Sequence, residues 1–280
     1  MSGAKAVWLL RPIVKIIEEK VKMAEIKRPV AVIDSGLGGI SVLSHLLREL
    51  PNEDFVYFGD TANVPYGSKT TEEVLALTLD NIRMLEEKYF AKAVVIACNT
   101  ATGAAAAKSR DVFSHMPIIG IEPAIKPAVT RSGKKDPKVL VMATPLTLSQ
   151  EKFVHLAEKY NPNADLIPLP CHGLAGEIES GADEKKVNDL LKKLFADVDC
   201  ESIDAVVLGC THYPLISEQI SKYFPKAEIY DGGLGTAQQT KRRLSEEKLL
   251  ANGNARGKLV IINSANDPNF EILASRYIRK

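Results

Sequence analysis

The chain has 280 residues, 45% hydrophobic and 25% charged, a size that buries roughly three quarters of the unfolded surface and suggests one or two domains. Its 36 Lys and Arg face 35 Asp and Glu with no long run of one sign, which excludes a basic nucleic-acid surface and suits a small mixed-charge substrate. No apolar run reaches the roughly 18 residues of a membrane helix, so the sequence reads as a cytoplasmic protein with neither nucleic acid nor membrane as partner.

Residues 1–28 read as a helical N-terminal extension. Arg11, Pro12 and Lys15 interrupt its apolar stretch and argue against a secretory signal, and Met23 offers an alternative start. From Val30 onward, short apolar runs alternate with segments of helical period. Strands are expected at 30–33, 55–58, 93–97, 118–121, 139–143, 165–169, 205–209, 228–230 and 259–262. They are continuously apolar, as strands covered on both faces should be. Amphipathic helices are expected at 71–88, 148–160, 184–196 and 236–250. The pattern predicts an α/β fold with mostly parallel sheets and crossover helices.

Two near-repetitions divide the chain. AVVIACNT at 93–100 matches AVVLGCTH at 205–212, and DSGLG at 34–38 matches DGGLG at 231–235. Their order and spacing exclude a tandem repeat and point to two related α/β halves, each with a cysteine at the carboxyl end of a strand. The polar, glycine- and proline-bearing segment 130–137 reads as a surface linker, and a second half is expected to begin near residue 121.

The turn after Asp34 has only half of a dinucleotide fingerprint, with Ser41 in place of the last glycine. Its glycines would still admit a small ligand to the backbone and to the N–H groups of the following helix. Asp34 itself could be a base, an orienting carboxylate or a cap.

Four cysteines occur, Cys98, Cys171, Cys200 and Cys210, without close CxxC pairs. Cys98 and Cys210 stand out because each ends an equivalent strand, each is followed by polar residues, and each precedes an expected helix start whose field would lower a thiol pKa toward neutrality. Cys200, beside Asp197, Asp199 and Glu201, reads as inert, and Cys171 as a bystander. The spacing fits neither a redox pair nor a tetrahedral metal cage. Two thiols facing each other across a cleft could instead remove a proton from one face of a carbon and deliver one to the other. His212 could couple to Cys210, and Asp34 or Asp60 to Cys98. The turn 63–68 could hold a carboxylate or be an ordinary turn. Thr144 and Thr147 could be cap hydroxyls or carboxylate donors. Glu179 reads as a surface residue, and His45, His115 and His155 as structural residues without partners.

The segments AVIDSGLGG (31–39), YFGDTANVPYG (57–67), ACNTA (97–101) and LGCTHYP (208–214) together resemble the cofactor-independent aspartate/glutamate racemase family, in its glutamate branch. The resemblance runs from about residue 29 to the C-terminus. It implies two pseudo-symmetric α/β domains, 29–120 plus 235–280 and 121–234, with the active site in the interdomain cleft. It implies interconversion of L- and D-glutamate without cofactor or metal, supplying D-glutamate for peptidoglycan, by a homodimer. Cys98 would take the α-proton from D-glutamate and Cys210 from L-glutamate, assisted by Asp34 and His212, with Asp60 and Glu179 as further candidates. Glutamate would be held by Asp34, Ser35, Tyr66, Gly67, Asn99, Thr100, Thr144, Thr147, Thr211 and His212. A racemase of another small acid, aspartate or a hydantoin, and a non-catalytic binding protein of the same fold are the competing readings. The N-terminal extension and the lack of Ser or Pro after Asp231 depart from the family pattern.

Overall fold

The computed structural model describes residues 26–181 and 184–278. The expected N-terminal helix lies outside these, apart from residues 26–28. Nine strands form: β1 (Val30–Asp34), β2 (Phe55–Gly59), β3 (Ala93–Ile96), β4 (Ile118–Gly120), β5 (Lys138–Ala143), β6 (Asp165–Pro170), β7 (Ala205–Leu208), β8 (Glu228–Asp231) and β9 (Leu259–Asn263). They build two sheets, in the orders β4-β3-β1-β2-β9 and β6-β5-β7-β8, with every pairing parallel.

The helices that bear on the site are α1 (Ile40–Glu49), α2 (Thr71–Tyr89), α3 (Asn99–Val112), α4 (Ile125–Arg131), α5 (Pro145–Ser149), α6 (Glu151–Tyr160) and α7 (Leu174–Glu179). They are followed by α8 (Glu184–Leu194), α9 (Ser217–Ser221), α10 (Gly233–Glu246) and α11 (Asn269–Ile278). No helix among the described residues is long and apolar enough to cross a membrane.

The inner strands are covered on both faces. Val30 and Val32 enter one apolar cluster and Ala31 and Ile33 another, and in the second sheet Leu140 and Met142 part from Val139 and Val141 in the same way. The two-residue side-chain period makes such strands read as unbroken apolar runs. Double coverage fails at β6, β8 and β9, which are partly exposed. All three are edge strands, where one neighbour is missing, and β6 tolerates Pro168 and Pro170 for that reason.

Read from β2 to β4 and from β6 to β8, the two sheets share one strand order, with β1 matching β5 and β3 matching β7. Cys98 and Cys210 therefore follow equivalent strands. The second near-repetition has no such basis: Asp34 ends β1, but Asp231 ends β8, the counterpart of β4. The equivalent of the Asp34 turn is the segment at Thr144. Sequence order reverses between β1 and β3 and between β5 and β7, so each sheet opens a crevice there at its carboxyl edge, where ligands of such sheets bind.

The amphipathic segment 148–160 is two helices, not one. Gln150 adopts an extended backbone between α5 and α6, and its side-chain amide donates to the carbonyl of Thr100 at 3.0 Å. The chain crosses to the second sheet through α4 and returns through α10, which places Ala237 and Leu244 in the core around β1. Of the linker expected at 130–137, Thr130 and Arg131 belong to α4, residues 133–136 are exposed and Pro137 is buried.

A buried ion pair fastens this return. Lys92 donates to Glu53 at 2.6 Å and to the carbonyls of Ile26 and Leu249 at 2.6 and 2.9 Å, while Glu53 accepts from the Ala251 N–H at 2.6 Å. Both side chains are 2% exposed. Removing one partner leaves a bare buried charge, which costs about 3–5 kcal/mol. Lys92→Ala is expected to lower stability by that amount in urea denaturation, and Lys92→Met combined with Glu53→Gln to recover part of it, with per-molecule activity at 25 °C unchanged.

Candidate active site

The crevices of the two sheets face each other, and the turns after β1, β3, β5 and β7 meet around one small cavity. Ser35, Tyr66, Gly67, Cys98, Asn99, Thr100, Thr144, Cys210, Thr211 and His212 line it, together with Pro65 and Ala175. Asp34, Thr147 and Glu179 stand behind this lining, and Asp60 lies further back beneath Tyr66. The space left holds little more than one water molecule. Three larger hollows, beside Lys126 and Arg243, beside Phe153 and Lys159 and beside Asn52 and Arg256, contain neither thiol.

Cys98 caps the N-terminus of α3, its sulfur accepting from the Ala101 N–H at 3.5 Å. The expectation of a thiol lowered toward neutrality fails here. Burial and the neighbouring Asp34 carboxylate push Cys98 up to about 12, against the smaller pull of the Ala101 N–H and the Ser35 hydroxyl. Desolvation outweighs the helix field because the sulfur is shut away from water. Cys210 does not stand at a helix start: a turn and a 3₁₀ segment, Tyr213–Ile216, separate it from the short helix α9.

His212 Nδ1 lies 3.7 Å from Cys210 Sγ, and Nε2 donates to Glu179 at 2.6 Å. Burial works against the imidazolium, but Cys210 and Glu179 together hold the ring well above its usual value. With Nε2–H given to Glu179, Nδ1 is left to accept the thiol proton or to donate to the thiolate. Glu179 is thus no surface residue. Its carboxylate also accepts from the Leu37 N–H at 2.8 Å, so it joins α7 to the turn after β1.

Asp34 is 3% exposed and is not a helix cap. It accepts from the Gly36 N–H at 3.0 Å and the Thr211 hydroxyl at 3.0 Å. Burial pushes its carboxyl up to about 6, although the His212 charge and the Gly36 N–H pull it down. Asp60 does not serve Cys98: it accepts from Tyr66 at 2.6 Å, from Asn63 at 3.0 and 3.1 Å and from Asn81 at 3.3 Å, and so fixes the Tyr66 ring. Thr144 caps α5, and its hydroxyl lies within 3.0 Å of those of Thr100 and Thr147, a triangle bridging the two sheets.

The glycine turn has a use that its sequence did not disclose. A Cβ on Gly36 would stand 2.4 Å from the Glu179 carboxylate, and one on Gly38 would stand 2.6 Å from His212 Nδ1. These glycines make room for side chains of the other half, and the first N–H groups of the turn are taken by Asp34 and Glu179.

Tyr57, Asn81 and Gln150 were not expected at the site. The Tyr57 hydroxyl donates to the Gly36 carbonyl at 2.6 Å, and the Asn81 amide donates to Tyr66 at 3.2 Å. A tyrosine inside an apolar strand and an asparagine beside Ile82 on the buried face of α2 were legible signals, since each buried polar group requires a partner. Of the residues read as structural, His115 does have a partner, Glu86, at 2.5 Å, and His155 meets Glu158 at 3.4 Å; both histidines are exposed and far from the thiols. His45 lies 3.8 Å from Asp231. Burial, then Asp199 and Glu201, raise the Cys200 thiol. Among the described residues, no group of three or more His, Cys, Asp or Glu could hold a metal ion.

The family model for Asp/Glu/Hydantoin racemase matches residues 30–240. The chain belongs to that family. This makes it an enzyme of the racemase class. A glutamate racemase from Clostridium acetobutylicum is 44% identical over 251 residues, covering 89% of this chain and 97% of the relative. One from Clostridium novyi is 47% identical over 249 residues, covering 88% and 95%. The racemase fold also superposes on the crystal structure of glutamate racemase from Francisella tularensis in complex with D-glutamate, with a TM-score of 0.77, 29% identity and coverage of 91% and 95%.

The buried Asp34 carboxyl sets a pH dependence. Its native value of about 6 exceeds the ordinary 3.8, so between these pH values the folded state binds more protons than the unfolded one. Stability from this group is therefore present below pH 3.8 and lost as pH rises through 6, a difference on the order of 3 kcal/mol. Asp34→Asn is expected to raise Tm at pH 7, with the gain shrinking to nothing near pH 4 in calorimetric scans, and to abolish turnover.

Proposed function

We propose that the protein interconverts L- and D-glutamate by proton transfer between the α-carbon and two cysteine bases, Cys98 and Cys210. The observation that carries this reading is their placement after the equivalent strands β3 and β7, on opposite walls of one cavity. The relatives named glutamate racemase support the choice of substrate.

In this mechanism one thiolate removes the α-proton from one face while the opposite thiol donates from the other, and the stereocentre inverts. Cys98 takes the proton of D-glutamate and Cys210 that of L-glutamate. A thiol held near 12 is almost wholly protonated at neutral pH, so the ammonium carried by the α-carbon that lies between the two sulfurs supplies the positive charge that favours a thiolate. Asp34 and the Ser35 hydroxyl attend Cys98; His212, held by Glu179, attends Cys210. The hydroxyls of Thr100, Thr144, Thr147 and Thr211, the Asn99 amide and the backbone at Gly67 are donors for the carboxylates, and Tyr66, fixed by Asp60, closes one wall. Water exclusion then strengthens each of these interactions as negative charge develops at the α-carbon.

The closed cavity has no room for a ten-atom amino acid, so entry requires the halves to part. We assign the moving bodies as domains 29–120 with 235–280 and 121–234, with the hinge at the two crossings. Supply of D-glutamate for peptidoglycan, in the cytoplasm and as a homodimer, completes this reading.

Incubation with L-glutamate in deuterated water, without added cofactor, is expected to abolish the circular dichroism of the substrate as deuterium enters the α-position. L-Aspartate should give neither change. Cys98→Ser and Cys210→Ser should each lower kcat by about 10²–10⁴-fold in both directions. An unchanged signal with glutamate would refute the substrate assignment, and full activity of either variant would refute the two-thiol mechanism.

A further inference from the structure

Tyr213 begins the 3₁₀ segment after Cys210, its backbone N–H donating to the Cys210 carbonyl at 3.1 Å. Its side chain is 0% exposed and sits in an apolar cluster with Cys171, Cys210 and Leu174. The hydroxyl meets no hydrogen-bond partner of regular geometry. The groups facing it are the thiols of Cys210 and Cys171. A buried phenol normally finds an oxygen or nitrogen acceptor, because an unmade hydrogen bond in an apolar setting is costly. Here the two groups that act on it are sulfur.

Sulfur as a thiol is a weak acceptor, whereas an ionised acceptor forms a far stronger bond. The hydroxyl is poorly served while Cys210 is protonated and well served when Cys210 carries charge. That difference favours the ion. Burial, then the charges of Cys210 and Cys171, hold the phenol itself far above its ordinary value, so it keeps its proton and acts only as a donor. Cys171 donates in turn to the Leu169 carbonyl at 3.4 Å, which fixes its sulfur beside the ring. Tyr213 does not line the cavity, so it reaches Cys210 from the core side, behind the face open to substrate.

We propose that Tyr213 is a positioning residue for the reaction: its hydroxyl holds the Cys210 thiolate from the core side, while Cys171 keeps that hydroxyl aimed during the protonated half of the cycle. The groups around Cys210 are then His212 at 3.7 Å with Glu179 of α7 behind it, Tyr213, Cys171 after β6, and Cys98 across the cavity. Tyr213 is the one that donates from the apolar side.

The test is Tyr213→Phe in the full chain, read by the ¹³Cβ shifts of labelled cysteine between pH 6 and 11. Four cysteines give four signals, assigned by single Cys→Ser replacements. The Cys210 midpoint is expected to rise by about one unit, the size of one hydrogen bond to a charged acceptor, with the Cys98 midpoint unchanged and Tm not lowered. With glutamate, kcat should fall about tenfold in both directions and KM stay within twofold. A Cys210 midpoint that does not move, a shift confined to Cys171, or a Cys210 that does not titrate below pH 11 in the parent protein would each overturn the proposal. The kinetic arm rests on the glutamate racemase reading, but the titration does not. Failure of that reading would appear as absent turnover in the parent enzyme, and failure of this one as an unmoved Cys210 signal.

Discussion

The Glu179 carboxylate carries the constraint on which the site depends. It accepts from His212 within its own half and from the Leu37 N–H of the other half, in surroundings that exclude most water. One charged group thereby fixes the imidazole that faces Cys210 and seats the second half on the glycine turn of the first. Each contact is stronger for being desolvated, and each depends on the other being made.

Around that contact the molecule accumulates charge where charge is expensive. Asp34, Glu179 and His212 are packed beside two thiols, and burial raises Asp34 and Cys98 together. An arrangement of this kind is poorly designed for stability alone. Its cost is offset elsewhere, by inner strands covered on both faces. In the proposed reaction it leaves the acids and bases ready to exchange protons once a zwitterion lies between them.

The shared strand order of the two sheets gives this chemistry its geometry. Equivalent strands deliver equivalent cysteines, but their surroundings differ: Cys98 caps a full helix and faces Asp34 and Ser35, whereas Cys210 precedes a single 3₁₀ turn and faces His212 and Tyr213. The walls are alike in backbone and unlike in side chains, as the proposed pair of opposed proton carriers acting on one chiral substrate requires.

Strand positions, the parallel α/β class and the placement of Cys98 and Cys210 at the ends of equivalent strands were all legible in the chain, because buried parallel strands and their terminal polar residues are local patterns. The break at Gln150 was not, since an extended residue inside a helical period is dictated by its partner, the Thr100 carbonyl 50 positions away. Nor was the contact between Glu179 and His212, or the room that Gly36 and Gly38 make for them. The likeness of Asp231 to Asp34 even misled, because similar short strings can follow non-equivalent strands. Residue order decides which segments become strands and which side chains end them. Which of those ends meet, how dry the meeting place is and so how each thiol and carboxyl titrates depend on desolvation between distant segments, a property that exists only once the two halves are packed together.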